Sequence, residues 1–110
     1  GSHGYGFQEF ARRHGDFAIA AAGCLIKIDN NIIEDIAISI GGVEDVPRRF
    51  KECEDVLRGM KYDIDDIKMQ VLKPLSKINY LDDSLVTGAY RRRLLKGLLI
   101  RAVEQAASRS

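Results

Sequence analysis

Two apolar segments separated by a short polar turn constrain this fold more than any other feature. Residues 17–28 read FAIAAAGCLIKI and residues 32–41 read IIEDIAISIG, and both have the β-branched, apolar composition typical of strands. The intervening DNN at 29–31 tolerates left-handed backbone, as a tight hairpin turn requires. In the second segment isoleucines alternate with alanine and serine, which predicts one buried face. The pattern therefore predicts an antiparallel hairpin.

The hairpin needs further strands, because a lone pair of strands is marginally stable. We expect a third short strand, either from a split of residues 17–28 or from the segment 77–81. The small residues at 18–23 predict close contact with another surface, and Gly23 is a candidate bulge or bend. Residues 7–13 are predicted to form a short helical turn, which Gly15 ends.

Two helices are predicted after the glycine pair that closes the hairpin. Asp45 is expected to cap the first helix, with Pro47 in its first turn and Gly59 as its stop. Asp63 is expected to cap the second helix, whose length Pro74 limits. Apolar residues recur at helical spacing in both segments, so each helix has one face for a core.

A third helix is predicted from near Leu85 to about Ala107, with a wide apolar face bordered by basic residues. A hairpin followed by three helices indicates the α+β class, with a small antiparallel sheet packed against the helices. Gly1-Ser2-His3 resembles a cloning remnant, and residues 4–110 are predicted to form a single domain.

The composition argues against several classes of partner. The chain has 17 basic and 16 acidic residues and a net charge of +1, which gives no reason to expect nucleic acid or an anionic membrane surface. No apolar run is long enough to span a bilayer, and no signal peptide is visible. Cys24 and Cys53 fit neither a disulfide framework nor metal-ligand spacing, so they are predicted to be reduced, buried thiols of a cytoplasmic protein.

Charged clusters supply the candidate sites, and each has a simpler structural interpretation. His14 beside Asp16 is either a general base oriented by a carboxylate or a solvated turn histidine, and no nucleophile accompanies it in sequence. Five aspartates are either cation ligands or helix caps: Asp63, Asp65, Asp66, Asp82 and Asp83. Their spacing does not match a calcium loop, so helix capping is favoured and no metal site is predicted.

The arginine triplet at 91–93 is either an anion-binding surface or a source of salt bridges to the acids at 82–83. Three consecutive helical positions span about 200° of the circumference, so at least one arginine should turn toward the domain or a partner. Salt bridging is the favoured interpretation. The pair Gly41-Gly42 lacks both the GxGxxG pattern and the lysine of a phosphate loop, so no complete dinucleotide site is predicted.

Three motifs in order carry a resemblance to a known family: ARRHGDFAIA, IGGVEDVPRRFKECEDVLRG and DDSLVTGAYRRRLLKGLLIRA. Together they resemble the C-terminal domain of the flavin (medium) subunit of the molybdenum hydroxylases, a family that includes carbon monoxide dehydrogenase and xanthine dehydrogenase. The residues that match its pattern are Arg13, Asp16, Phe17, Ala18, Gly41, Gly42, Pro47, Arg48, Glu54, Leu57, Gly59, Tyr90, Arg91 and Arg92.

The resemblance implies a role beside a flavin. In that family a molybdopterin centre hydroxylates the substrate, and electrons pass through [2Fe–2S] clusters to FAD and then to an acceptor. The C-terminal domain closes over the isoalloxazine side. Carried over to this chain, the resemblance places Asp16 and Phe17 near the flavin ring, with Arg13 ordering the turn, and implies no catalytic residue in this chain.

The resemblance also implies what this chain depends on. The FAD-binding lobes belong to the N-terminal part of the subunit, so we expect this chain neither to hold FAD tightly nor to act alone. Its expected partners are those lobes and the molybdopterin and iron–sulfur subunits. The alternative is a non-enzymatic α+β interaction or self-associating module, and an isolated domain could form a homodimer through an exposed apolar face.

Overall fold

A computed structural model of the protein describes residues 2–11 and 18–110, which form one sheet and four helices. The strands are β1 (Gly4–Phe10), β2 (Ala20–Asp29), β3 (Ile32–Gly41) and β4 (Arg48–Arg49). The helices are α1 (Lys51–Leu57), α2 (Ile64–Gln70), α3 (Leu72–Ser76) and α4 (Gly88–Ser108). The strands of these described ranges form an antiparallel sheet in the order β1-β2-β3-β4, and the predicted α+β class is confirmed.

The central hairpin forms as predicted. Strands β2 and β3 pair from Ala21↔Gly41 to Asp29↔Ile32, and Asn30 and Asn31 take positive φ values of 52° and 63° at the turn. Paired left-handed residues match the right-handed twist of the flanking strands. The predicted bulge at Gly23 is wrong, because pairing is regular there. The register instead shifts between Lys27 and Ile28, next to the turn.

The third strand is β1, at the start of the chain, so both predicted locations for it are wrong. The helical turn predicted over residues 7–13 is also wrong for its described part, because β1 extends to Phe10. Burial alternates along the sequence GYGF, with Gly4 and Gly6 buried and Tyr5 and Phe7 exposed. That period of two is the strand signature.

Strand β1 packs on α4 with the two backbones almost touching. A Cβ atom added to Gly4 would overlap the carbonyl oxygen of Ala106, and one added to Gly6 would overlap that of Ala102. The facing residues Ala102 and Ala106 are fully buried. The contact is fixed further by the side chain of Gln105, whose Oε1 accepts the Phe7 backbone N–H at 2.8 Å. Small residues on both elements thus set the distance between sheet and helix.

Helix α1 begins later than predicted. Residues Arg48 and Arg49 pair with β3 as the short strand β4, so Asp45 is not the N-cap and Pro47 precedes a strand. The helix starts at Lys51, after Phe50 donates its N–H to the Ile38 carbonyl at 2.8 Å. Pairing with the exposed edge of β3 overrides the local helix signal. Gly59, with φ of 90°, follows the helix as predicted.

The later helices follow the sequence closely. Asp63 caps α2 through its side chain as predicted. The single helix expected there is interrupted at Val71, because Pro74 has no N–H to donate to Gln70, and the chain continues as α3. Helix α4 starts at Gly88 rather than near residue 85, since Thr87 is its N-cap and accepts the Tyr90 N–H. No helix in this described portion is both long and apolar enough to cross a membrane.

The core fills the space between one face of the sheet and the helices. Alternate residues of β2 and β3 point into it, together with the apolar faces of α1–α4 and with Phe50. The largest fully buried side chains are Phe50, Ile26, Ile33, Ile36, Ile38, Leu57, Ile67, Leu75, Leu95 and Leu99. The opposite face of the sheet has no helix over it in the described ranges, and it exposes Tyr5, Phe7 and Leu25.

A buried carboxylate joins β3, β4 and α1. Glu54 is only 2% exposed and receives two hydrogen bonds of 2.7 Å from the Arg49 guanidinium. It also accepts the Ile38 N–H at 2.8 Å, which the short strand β4 leaves without a ladder partner. Burial alone would raise the pKa of Glu54, but the bonds from Arg49 and Ile38 outweigh it and lower that pKa.

We predict that Gly6→Ala destabilises the domain by about 3 kcal/mol, because the new methyl group forces β1 away from α4. Urea unfolding followed by circular dichroism measures the change. Gly41→Ala is the matched control, since among the described residues its added Cβ meets no atom closer than the Pro47 Cβ at 3.8 Å. Equal stability of the two variants would contradict the close packing of β1 on α4.

We predict that Glu54→Gln lowers the free energy of unfolding at neutral pH by about 2 kcal/mol, since hydrogen bonds to a charged group are lost. A lowered pKa in the folded state means that the carboxylate stabilises the fold above its ordinary pKa of 4.5. This contribution is lost as pH falls below 4.5 through the folded pKa. Unfolding curves of wild type and variant should therefore converge in acid, whereas the exposed control Glu34→Gln should match wild type throughout.

Candidate functional site

The candidate site lies at the end of the sheet where β1 stops and the chain returns into β2. The Ile19 N–H donates to the Phe10 carbonyl at 2.8 Å, so the two ends of the intervening segment are held together. The predicted site residues Arg13, Asp16 and Phe17 lie outside the described residues, as does His14. Their neighbour Ala18 is partly buried at this end of the sheet. The structure thus places the two ends of the predicted turn.

The glycine pair of the second motif lies directly against this turn. Gly42 has a φ of 78°, and a Cβ atom there would come within 2.6 Å of the Ala18 carbonyl oxygen. Both the left-handed backbone and the close approach require glycine. Residues from the first and second motifs, well separated in sequence, are therefore in contact.

Arg91 connects the third motif to the same end of the sheet. This arginine is 7% exposed, and its Nη1 donates to the carbonyl oxygens of Leu81 and Val86, each at 2.8 Å. Its Nη2 pairs with Asp83 at 3.2 Å. The Leu81 N–H donates in turn to the Val43 carbonyl, next to the glycine pair. Arg91 thus ties the loop before α4 to the end of β3.

The carboxylate of Asp83 organises that loop from within. It accepts the N–H groups of Val86 and Leu85 at 2.8 and 2.9 Å, and these bonds, followed by the Arg91 contact, lower the pKa of Asp83. The predicted salt bridge between the arginine triplet and the acids at 82–83 is confirmed. One arginine turns inward, as the helical geometry requires, while Arg93 lies 5.7 Å from the ring centre of Tyr90.

Two cavities flank this end of the sheet. The first has a volume of about 440 Å³ and is mainly apolar, with a floor of small residues. Its lining includes Phe7, Ala18, Ala21, Gly23, Gly41 and Pro47, together with the acidic residues Glu44 and Asp45. The second has a volume of about 540 Å³ and is lined by Phe10, Leu85, Val86, Thr87, Tyr90 and Arg93. A flat, small-residue floor beside an exposed aromatic ring suits a planar group, and the carboxylates of Glu44 and Asp45 disfavour an anionic one.

The described residues show little chemistry of their own. Cys24 and Cys53 are buried, and burial raises the pKa of each thiol to about 12, so both are protonated at neutral pH and poor nucleophiles. Within residues 2–11 and 18–110 there is no cluster of three or more potential metal ligands. The arrangement can bind and shield a group, but these same ranges hold no nucleophile activated by a base.

Sequence reasoning missed the apolar groove and the exposed aromatic residues beside it. Tyr5 and Phe7 are 53% and 45% exposed on the open sheet face, and Phe7 borders the groove floor at Gly23. The available signal was the glycine–aromatic alternation at residues 4–7, which predicts a strand with one aromatic face. That signal was obscured because the preceding residues resemble a cloning remnant.

Comparison with known proteins identifies a family for this chain. The model of the CO dehydrogenase flavoprotein C-terminal domain matches residues 5–106. The glyceraldehyde dehydrogenase medium chain of Sulfolobus acidocaldarius is 37% identical over 101 residues, which cover 92% of this chain and 36% of that protein. The carbon monoxide dehydrogenase medium chain of Afipia carboxidovorans is 27% identical over 108 residues, covering 98% of this chain and 38% of that protein.

The fold comparison gives the same result. A crystal structure of the Cu,Mo-CO dehydrogenase matches with a TM-score of 0.84 and 26% identity, covering 99% of this chain and 38% of that chain. The chain therefore spans little more than a third of the length of these relatives. Family match, sequence identity and fold all agree: this chain belongs to the CO dehydrogenase flavoprotein C-terminal domain family, the C-terminal domain of the FAD subunit of molybdenum hydroxylases.

Proposed function

We propose that this domain helps to close the flavin site of an oxidoreductase in which electrons pass from [2Fe–2S] clusters through FAD to an acceptor. The observation that carries the proposal is the meeting of three motifs at one end of the sheet, beside an apolar groove of about 440 Å³. The FAD would be held by the full subunit. The molybdopterin and [2Fe–2S] centres would be in partner subunits of a cytoplasmic complex.

The groove fits the ring of a flavin better than its diphosphate. Its floor is formed by Ala21, Gly23 and Gly41, which leave room for a flat aromatic system. FAD supplies the redox chemistry when bound, whereas this chain would exclude water and limit access to the ring. We assign Phe17 to packing near the isoalloxazine, Asp16 to the same turn, and Arg13 to ordering that turn.

The N-termini of α1, α2 and α4 support the expectation that the domain would not hold FAD alone. A diphosphate binds where backbone N–H groups at a helix start are free and positive. Helix α1 has acidic residues in its first turn, and α2 has both an Asp63 cap and acidic residues there. At α4, Thr87 accepts the Tyr90 N–H and Asp82 accepts the Gly88 N–H. The N-terminal lobes would therefore provide the diphosphate site, and the isolated chain is expected to be inactive.

We predict that Phe17→Ala and Asp16→Asn each weaken flavin retention about tenfold in a subunit reconstituted with its N-terminal lobes, the equivalent of about 1.4 kcal/mol. Flavin absorbance per protein after gel filtration measures retention. Met69→Ala is the control, because this exposed side chain lies on α2, outside the groove and the cavity beside it. A well-folded reconstituted subunit without flavin, or full retention by both variants, would contradict the proposal.

The open sheet face supports a second candidate, self-association of the isolated domain. Tyr5 and Leu25 are paired across β1 and β2, and they are 53% and 39% exposed next to Phe7. An apolar face of this kind is typical of a surface that another chain covers. In the full subunit the N-terminal lobes would cover it, and in isolation a second copy would do so.

We predict that the isolated domain forms a dimer and that Phe7→Ser with Leu25→Ser shifts it to a monomer, since the two changes remove the apolar contact area. Sedimentation equilibrium measures the dissociation constant, which should rise at least about tenfold. Met69→Ser provides an exposed apolar control on another surface. A wild-type domain that stays monomeric at high concentration would exclude this second candidate.

A further inference from the structure

A second groove runs along α4 without any strand residue in its lining, and it shares only Arg93 with the cavity beside the candidate flavin site. It has a volume of about 540 Å³ and lies between α4 and α2, with Lys68, Arg93, Lys96 and Arg101 around it. An adjoining cavity of about 350 Å³ shares two of these cations and has Leu72, Leu75 and Ala89 in its wall. The groove therefore combines an aliphatic wall with a basic rim, the arrangement found at protein–protein interfaces.

Helix α4 carries an excess of positive charge. The helix carries five of the 17 basic residues but one of the 16 acidic residues, so the remainder of the chain is net negative. Among the described residues, Lys68, Lys96 and Arg101 have no carboxylate within 4 Å. The ion pairs in this part of the chain involve other basic residues. Like charges one helical turn apart repel each other, so this concentration does not stabilise the isolated helix.

Gly97 lies in the middle of this basic face. Glycine is the least favourable residue after proline in a helix interior. Within residues 2–11 and 18–110 nothing requires glycine at this position, because an added Cβ would meet only the Arg101 guanidinium there, at 3.5 Å. Residues four apart share a helix face, so Gly97 forms a notch between Arg93 and Arg101. A notch without a side chain admits the backbone of another chain.

We propose that this basic groove docks a carboxylate-rich segment of another subunit of the enzyme, with the main chain of that segment seated over Gly97. Carboxylates complement Lys68, Lys96 and Arg101, and aliphatic side chains of the segment would pack against the partly exposed Leu72 and the exposed Ala89. Nucleic acid fits less well, because Glu104 lines the groove and Asp65 and Asp66 precede Lys68 on α2.

This inference rests on the proposed function, because it takes the occupant to be a subunit of the same complex. Its test uses the full FAD subunit, co-expressed and titrated with the molybdopterin and iron–sulfur subunits. Gly97→Gln should leave the melting temperature unchanged or higher while weakening assembly at least about tenfold. Lys96→Glu with Arg101→Glu should weaken assembly at least about tenfold and flatten its dependence on salt concentration.

Lys51→Glu with Lys61→Glu is the matched control, with the same change in charge on exposed residues outside the groove. It should assemble like wild type. The inference is overturned if Gly97→Gln and the Lys96/Arg101 variant assemble normally, or if the control pair weakens assembly equally. A wild-type subunit that retains flavin but binds neither partner also overturns it, while leaving the proposed flavin role intact.

Discussion

The close contact between β1 and α4 is the constraint on which the rest of the structure depends. Gly4 and Gly6 on the strand face Ala102 and Ala106 on the helix, and their backbones approach to a distance that any larger residue would prevent. This contact joins the two ends of the described chain across the sheet. It also fixes which face of the sheet is buried, and so leaves Tyr5 and the aromatic residues beside it on the open side.

Three parts of helix α4 have different structural roles. Its apolar face fills the core, Arg91 at its start ties down the loop before it, and its outer basic face surrounds Gly97. The apolar face that fills the core consists mainly of the buried residues Leu95, Leu98 and Leu99. The basic face and its glycine contribute nothing comparable to stability, and residues that break local rules without structural compensation are expected at functional surfaces.

The three motifs of the candidate site were predictable from the sequence, but the contacts between them were not. The family resemblance identified the turn, the glycine pair and the Tyr-Arg-Arg helix, yet each motif alone gave no reason to place them together. Contact arises because Gly42 lies against Ala18 while Arg91 holds the loop that bonds to Val43. The buried role of Glu54 was equally invisible, since only the short strand β4 leaves the Ile38 N–H in need of an acceptor.

The sequence by itself determined the hairpin, the Asp63 cap, the extent of α4 to within a few residues and the α+β class, because periodicity and capping are local properties. Tertiary structure decided that the strand at residues 4–10 pairs with β2 and packs on α4, and that Arg48 and Arg49 extend the sheet before α1 begins. Both depend on hydrogen-bond partners and packing surfaces supplied by distant parts of the chain. Local propensity cannot identify such partners, because they exist only once the hairpin and α4 have come together.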